Sequence, residues 1–357
     1  MAKLVLHIGT AKTGTKFIQT FLAENRHSLL RQNILVPHFL GAGINHRWLV
    51  FLAQDPDQVD AFSAGQGLGE CSERRSRRRM EKLAELKQQV ALHSATTWII
   101  SSEHMQSRLR DGEIRRLKDL LDPLFETIQI LIYLRHPLHT AVSSWSTMVK
   151  NGNGTPRLQA PEKFAHLCAH QQILERWLEV FPRDQFSVRL FQDEDFFGGD
   201  LLQDFCHAAG IELEPTLLIP ERQNTALSHL TIKVLERLKV MASSRLGDRH
   251  SPLFSQRWGE IVRLASQHLS AFPTYVASES EAALYADYYR DSEQWVQQTF
   301  FRHKSALWDR GVPQSRDDAD PRFQPQLSPE EEAILAMAVD LWLSAIPSDP
   351  IPDPPPL

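Results

Sequence analysis

The chain has 357 residues, 42% hydrophobic and 23% charged, which excludes a globally disordered protein and suits one α/β domain with a helical extension. Lys plus Arg number 39 against 44 Asp plus Glu, a net charge of −5, so a general nucleic-acid binder with a basic surface is excluded and any anion site must be local. Three scattered cysteines, Cys71, Cys168 and Cys206, make neither a disulfide framework nor a spaced metal set, and they read as small buried side chains in a reducing compartment. No apolar run approaches the roughly 18 residues of a membrane span. The start, MAKLVLHIG, enters a strand-like run with no signal-peptide pattern. The expected location is cytoplasmic.

Short β-rich runs alternate with helical patterns through the N-terminal half. Residues 3–8 (KLVLHI) form an apolar run that ends at Gly9, and a helix is expected over 15–32 from Phe17, Ile18, Phe21, Leu22, Leu29 and Leu30. Residues 34–36, 98–101 (WIIS), 128–134 (IQILIYL) and 186–191 (FSVRLF) are further buried-strand candidates. Helical patterns at 76–93, 112–121, 137–150 and 161–180 separate them. This βαβ series predicts a parallel sheet with helices on both faces, and a ligand site at the carboxyl ends of the strands. From residue 200 onward only helical patterns appear, at 200–209, 226–243, 256–270, 280–305 and 329–345. The last begins with a capping box, Ser328-Pro329-Glu330-Glu331. The tail, IPSDPIPDPPPL over 346–357, is expected to be disordered. The domain plan is therefore a single α/β domain over 1–345 with a helical annex from about 226.

The residues after the first strand, Gly9-Thr10-Ala11-Lys12-Thr13-Gly14-Thr15-Lys16-Phe17, lead directly into a helix. Such a loop is suited to an anion: amide N–H groups point outward, the helix dipole favours negative charge, and Lys12 adds a cation. Thr13 and Thr15 offer hydroxyls. A Walker A loop would place Lys directly after the second glycine and a hydroxyl residue after that Lys. Here Thr15, Lys16 and Phe17 follow Gly14, which disfavours a metal-dependent nucleotide triphosphatase. The run IQILIYL ends in Arg135-His136-Pro137, with Ser143 eight residues after Arg135. A strand ending in Arg suits an additional phosphate, whereas a Walker B strand ends in an acid. TTWIISSE delivers Ser101, Ser102, Glu103 and His104 to the same edge.

The run HIGTAKTGTKFIQ resembles the phosphosulfate-binding loop of the sulfotransferases that use 3′-phosphoadenosine 5′-phosphosulfate (PAPS), closest to their bacterial and glycan-type members. The family pattern is commonly K-[TS]-G-T-T, and Lys16 stands where the second threonine would be. Arg135 and Ser143 resemble the family's 3′-phosphate motif. The resemblance implies a P-loop-type three-layer α/β sandwich in which Lys12, Thr13, Gly14, Thr15, Lys16 and Phe17 hold the 5′-phosphosulfate and adenine. Arg135 and Ser143 would bind the 3′-phosphate, Arg222 would lie near the nucleotide, and Glu103 would be the base, with His104 as runner-up. Adjacent residues on an extended strand point oppositely, so one of that pair is expected in the cleft. The implied reaction moves a sulfuryl group from PAPS to a hydroxyl of a carbohydrate, lipid or small metabolite, releasing PAP, without a metal. His46 is expected in the acceptor pocket or on an exposed loop, and His7 as a core or supporting histidine. The run Arg74, Arg75, Arg77, Arg78, Arg79 reads as a solvated helix face, or as a docking surface for an anionic acceptor. Alternative readings are a nucleotide kinase or NTPase and a non-catalytic nucleotide-binding module.

Overall fold

The computed structural model describes residues 2–69, 71–94, 96–155, 157–221, 226–246, 252–308, 315–320 and 327–338. Five strands, β1 (Ala2–Gly9), β2 (Ile34–Leu35), β3 (Thr97–Ser101), β4 (Phe125–Leu134) and β5 (Phe186–Leu190), form one sheet in the order β2-β3-β1-β4-β5. Every pairing is parallel. Leu4 sits between Trp98 and Ile128, and Leu6 between Ile100 and Ile130. All residues of β1 except Lys3 are buried, as continuous apolar runs in a sheet covered on both faces require.

The two-residue periodicity of the strands divides the core into two layers. Leu4, Leu6, Ile8, Trp98, Ile100, Ile130 and Ile132 face one way and pack with Leu49, Leu86, Leu117 and Trp177. Those come from helices α3 (Arg47–Ala53), α5 (Ser72–Leu92), α7 (Asp111–Leu121) and α10 (His170–Leu178). Val5, Ile99, Leu131 and Tyr133 face the other way, against Ile18, Phe21 and Leu22 of α1 (Thr15–Glu24) and Leu202 and Phe205 of α11 (Leu201–Ala209). The fold is thus α/β, three layers around a parallel sheet, as the alternation predicted.

Two predicted helices are broken. The run at 15–32 divides at Asn25 into α1 and α2 (Arg26–Arg31). The Asn25 side chain donates to the carbonyls of Phe21 and Leu218 and accepts from the Leu218 N–H, competing with helix continuation. The run at 161–180 becomes a 3₁₀ turn, α9 (Ala165–Cys168) and α10, parted at Ala169 by ψ 73°. Cys168 and Cys206 are buried, as expected, but Cys71 is half-exposed and its Sγ accepts the Arg74 N–H at the start of α5.

The chain falls into two compact units: Met1–Pro137, Ala165–Gln223 and Tyr289–Gly311 in the first, Leu138–Phe164, Asn224–Tyr288 and Val312–Leu357 in the second. The first contains the sheet. The second includes residues 138–150 of α8 (Pro137–Lys150), with α12 (His229–Leu246), α13 (Pro252–His268) and α15 (Pro329–Ala338). Its Trp145 packs edge-on against Tyr275 at 4.8 Å and donates to the Thr155 carbonyl. The predicted capping box forms: Ser328 Oγ accepts the Glu331 N–H at 3.2 Å while Glu331 accepts the Ser328 N–H at 2.9 Å. No helix among the described residues is long and apolar enough to cross a membrane. Residues 339–357, with the proline-rich tail, lie outside the described residues.

Candidate functional site

The loop joining β1 to α1 is fixed from beneath. The Thr10 N–H and hydroxyl both donate to the Tyr133 carbonyl of β4 at 3.0 Å. Thr13 Oγ1 donates to the Thr10 carbonyl at 2.6 Å and Thr13 is fully buried. Its hydroxyl therefore shapes the loop and is not displayed to a ligand, a correction to the role expected from the sequence. Lys12 (φ 69°) and Gly14 (φ 72°) both take left-handed conformations. At Gly14 a side chain is disfavoured by the positive φ, and a Cβ would fall 2.4 Å from Leu201 Cδ2, which would have to move aside.

Gly14 is the N-cap of α1, which has no side-chain cap and no acidic residue in its first turn. The threonines thus do not cap this helix, and its first-turn amides and the positive end of its dipole face the loop. Thr15 is buried, Lys12 half-buried and Lys16 exposed. Phe17 lines a cavity of about 600 Å³ with Asp200, Leu202, Gln203, Leu213, Glu214 and Pro215.

Arg135, two residues before α8, closes the loop from the β4 side. Its Nη1 donates to the Lys12 carbonyl at 2.9 Å, and its guanidinium carbon lies 5.4 Å from the centre of the Phe191 ring. Burial pushes the Arg135 pKa down to about 10, leaving it a cation at neutral pH. Residues 123 positions apart in sequence thus meet at one corner.

Glu103 borders the same loop on the β3 side. A Cβ on Gly9 (φ 110°) would lie 3.2 Å from both Cα and Cβ of Glu103, so only glycine lets the two strand ends approach this closely. The Glu103 backbone is helical (φ −63°, ψ −16°) and leads into α6 (His104–Arg108). This corrects the expectation that Glu103 and His104 alternate on an extended strand: β3 ends at Ser101, and the two residues are separated by a helical step. Glu103 Oε2 accepts from Gln19 Nε2 at 2.8 Å. His104 is half-buried with its pKa lowered by burial first, and then by Arg47 and Arg108 against the opposing Glu103 and Asp60.

His46 is neither an exposed loop residue nor open to an acceptor. It is 1% exposed, its Nδ1 accepts the Ser101 N–H at 2.9 Å, and its own N–H donates to the Ser101 carbonyl at 3.0 Å. It extends the edge of β3, and burial pushes its pKa down to about 4. His7 Nδ1 lies 2.8 Å from Ser101 Oγ, and burial lowers its pKa to about 3. Both are neutral supports for the end of β3, the supporting role expected for His7.

The structure brings Lys12, Thr13, Gly14, Thr15, Lys16, Phe17, Glu103 and Arg135 together in the first unit. Ser143 lies in α8 within the second unit, half-buried, and Arg222 lies outside the described residues. Among the described residues no group of three His, Cys, Asp or Glu side chains could hold a metal ion. Gln19 escaped the sequence reading. Its only signal was a polar residue in the apolar stripe Ile18, Gln19, Leu22 of α1.

No family model matches the chain. An uncharacterized protein of Archaeoglobus fulgidus is 24% identical over 208 residues, 58% of this chain and 54% of that protein, so the chain spans about half the length of the curated relative it matches. Among solved structures, the chain is similar to a sulfotransferase from Alicyclobacillus acidocaldarius, with 16% identity and a TM-score of 0.37 over 66% of this chain and 92% of that one. It is also similar to a sulfotransferase domain from the curacin biosynthetic pathway, with 13% identity and a TM-score of 0.35 over 76% and 99%.

Proposed function

We propose that the chain is a sulfotransferase that moves a sulfuryl group from PAPS to a hydroxyl of a carbohydrate, lipid or small-metabolite acceptor. The observation that carries this reading is the hydrogen bond from Arg135 to the Lys12 carbonyl, which joins two cationic strand ends into one anion-binding corner beside a carboxylate. A donor with phosphates at both ends of its ribose needs two such positive elements, and its sulfuryl group needs a base nearby.

Each residue then has a physical task. Lys12 and the uncapped first turn of α1 hold the 5′-phosphosulfate and offset the charge that grows on the leaving oxygen. Arg135 holds the 3′-phosphate, with Ser143 as its partner in the family pattern and Arg222 placed near the nucleotide by the same resemblance. The cavity bordered by Phe17 takes the purine: its wall mixes the apolar Leu202, Leu213 and Pro215 with the polar Asp200, Gln203 and Glu214, which suits a flat aromatic ring that carries polar edge atoms. Glu103 accepts the acceptor's hydroxyl proton as the new O–S bond forms and the S–O bond to the 5′-phosphate breaks, its electron pair leaving with PAP. Lys16 adds a cation where the family pattern has threonine. The scheme needs no metal.

The test begins with PAP. The expected result is a rise in melting temperature without Mg²⁺, by mass action on the native state, absent in Lys12→Ala and Arg135→Ala proteins. A rise with ATP and Mg²⁺ and none with PAP would overturn the reading in favour of a nucleotide kinase or NTPase. A PAP shift with no PAP release from PAPS, whatever hydroxyl acceptor is added, would leave a binding module.

A further inference from the structure

We propose that Gln19 is a positioning residue that holds the Glu103 carboxylate in the orientation for accepting a proton, an inference that rests on the reading of Glu103 as the base. Gln19 is 2% exposed and sits on the buried face of α1 beside Ile18 and Leu22, which pack into the core. Leucine would suit that stripe better, because burying a primary amide is costly unless it finds a hydrogen-bond partner. The partner is Glu103: Gln19 Nε2 donates to Oε2 at 2.8 Å, across 84 residues of sequence.

The rest of Glu103 is fixed independently. Its carbonyl accepts from the Ser107 N–H at 3.2 Å and the Ser107 hydroxyl at 3.1 Å, and its Cα and Cβ are packed against Gly9. Fixing the backbone still leaves the side-chain torsions free to turn the carboxylate. The Gln19 amide removes that freedom by engaging Oε2, and Oε1 is left as the proton-accepting atom. A base must sit within hydrogen-bond reach of the proton it takes, so a carboxylate that swings by an ångström loses rate without losing the donor. Because Gln19 lies one helical turn beyond Thr15, the helix whose first turn faces the donor also orients the base.

The test uses Gln19→Leu and Gln19→Met, two apolar replacements of similar size, in the wild-type and Glu103→Gln backgrounds. PAPS turnover to PAP and sulfate with water as acceptor is the probe. The expected result is a kcat about 10-fold lower, with the KM for PAPS and the PAP-induced melting shift within twofold of wild type. In the Glu103→Gln background the same substitutions should cost nothing further, since Gln19 acts only through that carboxylate. An unchanged kcat, or the same loss in both backgrounds, overturns the proposal and makes Gln19 a packing residue. A wild-type protein with no PAP shift overturns the donor reading and this inference with it, whereas a normal PAP shift with an unchanged Gln19→Leu rate overturns the positioning alone.

Discussion

Two parts of the first unit concentrate positive charge, and they differ in what surrounds it. Of the five arginines at 74–79 on α5, Arg75 and Arg79 turn inward and Arg74, Arg77 and Arg78 are exposed. Arg75 is buried and donates to the carbonyls of Pro56, Leu68 and Gly69, while Arg79 reaches those of Leu52 and Asp55 and stacks 4.5 Å from the Phe51 ring. Arg74 donates to the Gly67 carbonyl, and Arg77 and Arg78 approach Glu81 at 3.9 and 3.0 Å. Arg74, Arg75 and Arg79 bind carbonyls on either side of the short helix α4 (Ala61–Gly65), tying its two flanks to α5. Arg74, Arg77 and Arg78 stay on the solvated face that the sequence suggested, with Glu81 beside Arg77 and Arg78, while Arg75 and Arg79 do not. At the carboxyl edge of the sheet, Lys12, Lys16 and Arg135 are fewer, yet they flank an uncapped helix N-terminus. Density of charge in sequence therefore does not show which cations will lie beside an uncapped helix N-terminus.

The contrast can be broken by substitution. The largest effect belongs to Arg135→Ala, expected to abolish the PAP melting shift and lower PAPS turnover by ~10²-fold or more; Arg77→Ala should change neither, and equal losses in the two would erase the distinction. Acid comes next. The folded pKa values of His7, His46 and His170 are pushed down to about 3, 4 and 3 by burial, so below pH 6.5 the unfolded chain binds more protons than the folded one. Stability should fall as pH drops from 6.5 toward 4, by up to ~1.4 kcal/mol per pH unit for each histidine. Urea melts at pH 7 and 5 measure it, and hydrogen exchange should show the end of β3, gripped by His7 and His46, opening before α5. A flat profile would refute the neutral-histidine account.

Smaller changes sharpen the comparison further. Arg75→Met, which leaves three carbonyls without their donor, should cost ~1–3 kcal/mol in urea melts with PAP affinity intact; a loss of PAP affinity without a loss of stability would make the run a binding surface after all. Arg78→Ala removes an exposed pair with Glu81 and should stay within ~0.5 kcal/mol of wild type in the same melts.

Much of the fold was legible because β1, β3 and β4 are covered on both faces and read as unbroken apolar runs. Lys12 and Arg135 stood out as candidates because they follow such strands, Arg135 directly and Lys12 three residues on. The conformation at Glu103 was not, since a five-residue helix beginning there leaves no periodic signal of its own. Gln19 was hidden because a polar residue within a helix ordinarily marks its solvent face, and only the distant carboxylate explains it. His46 misled for a similar reason: a loop histidine carries no sign that it will extend a strand edge. The division into two units left little mark, because residues 138–164 fall in the same unit as 224–288 and 312–357 while 289–311 fall with the sheet, a grouping made by long-range contacts and not by local composition.

The bond between Arg135 and Lys12 also has a consequence in time. The two residues are 123 positions apart, so at ordinary rates of synthesis roughly 6 to 25 s separate their emergence from the peptidyl-transferase centre. During that interval the β1 loop exists as sequence but lacks both the β4 carbonyl that anchors Thr10 and the guanidinium that closes it. A nascent chain released before residue 135 cannot form this contact, whatever helices it has made. On the proposed donor reading, PAP capture by translation intermediates of increasing length would switch on once β4 has cleared the exit tunnel, marking the pairing of β4 with β1 before β5 is made.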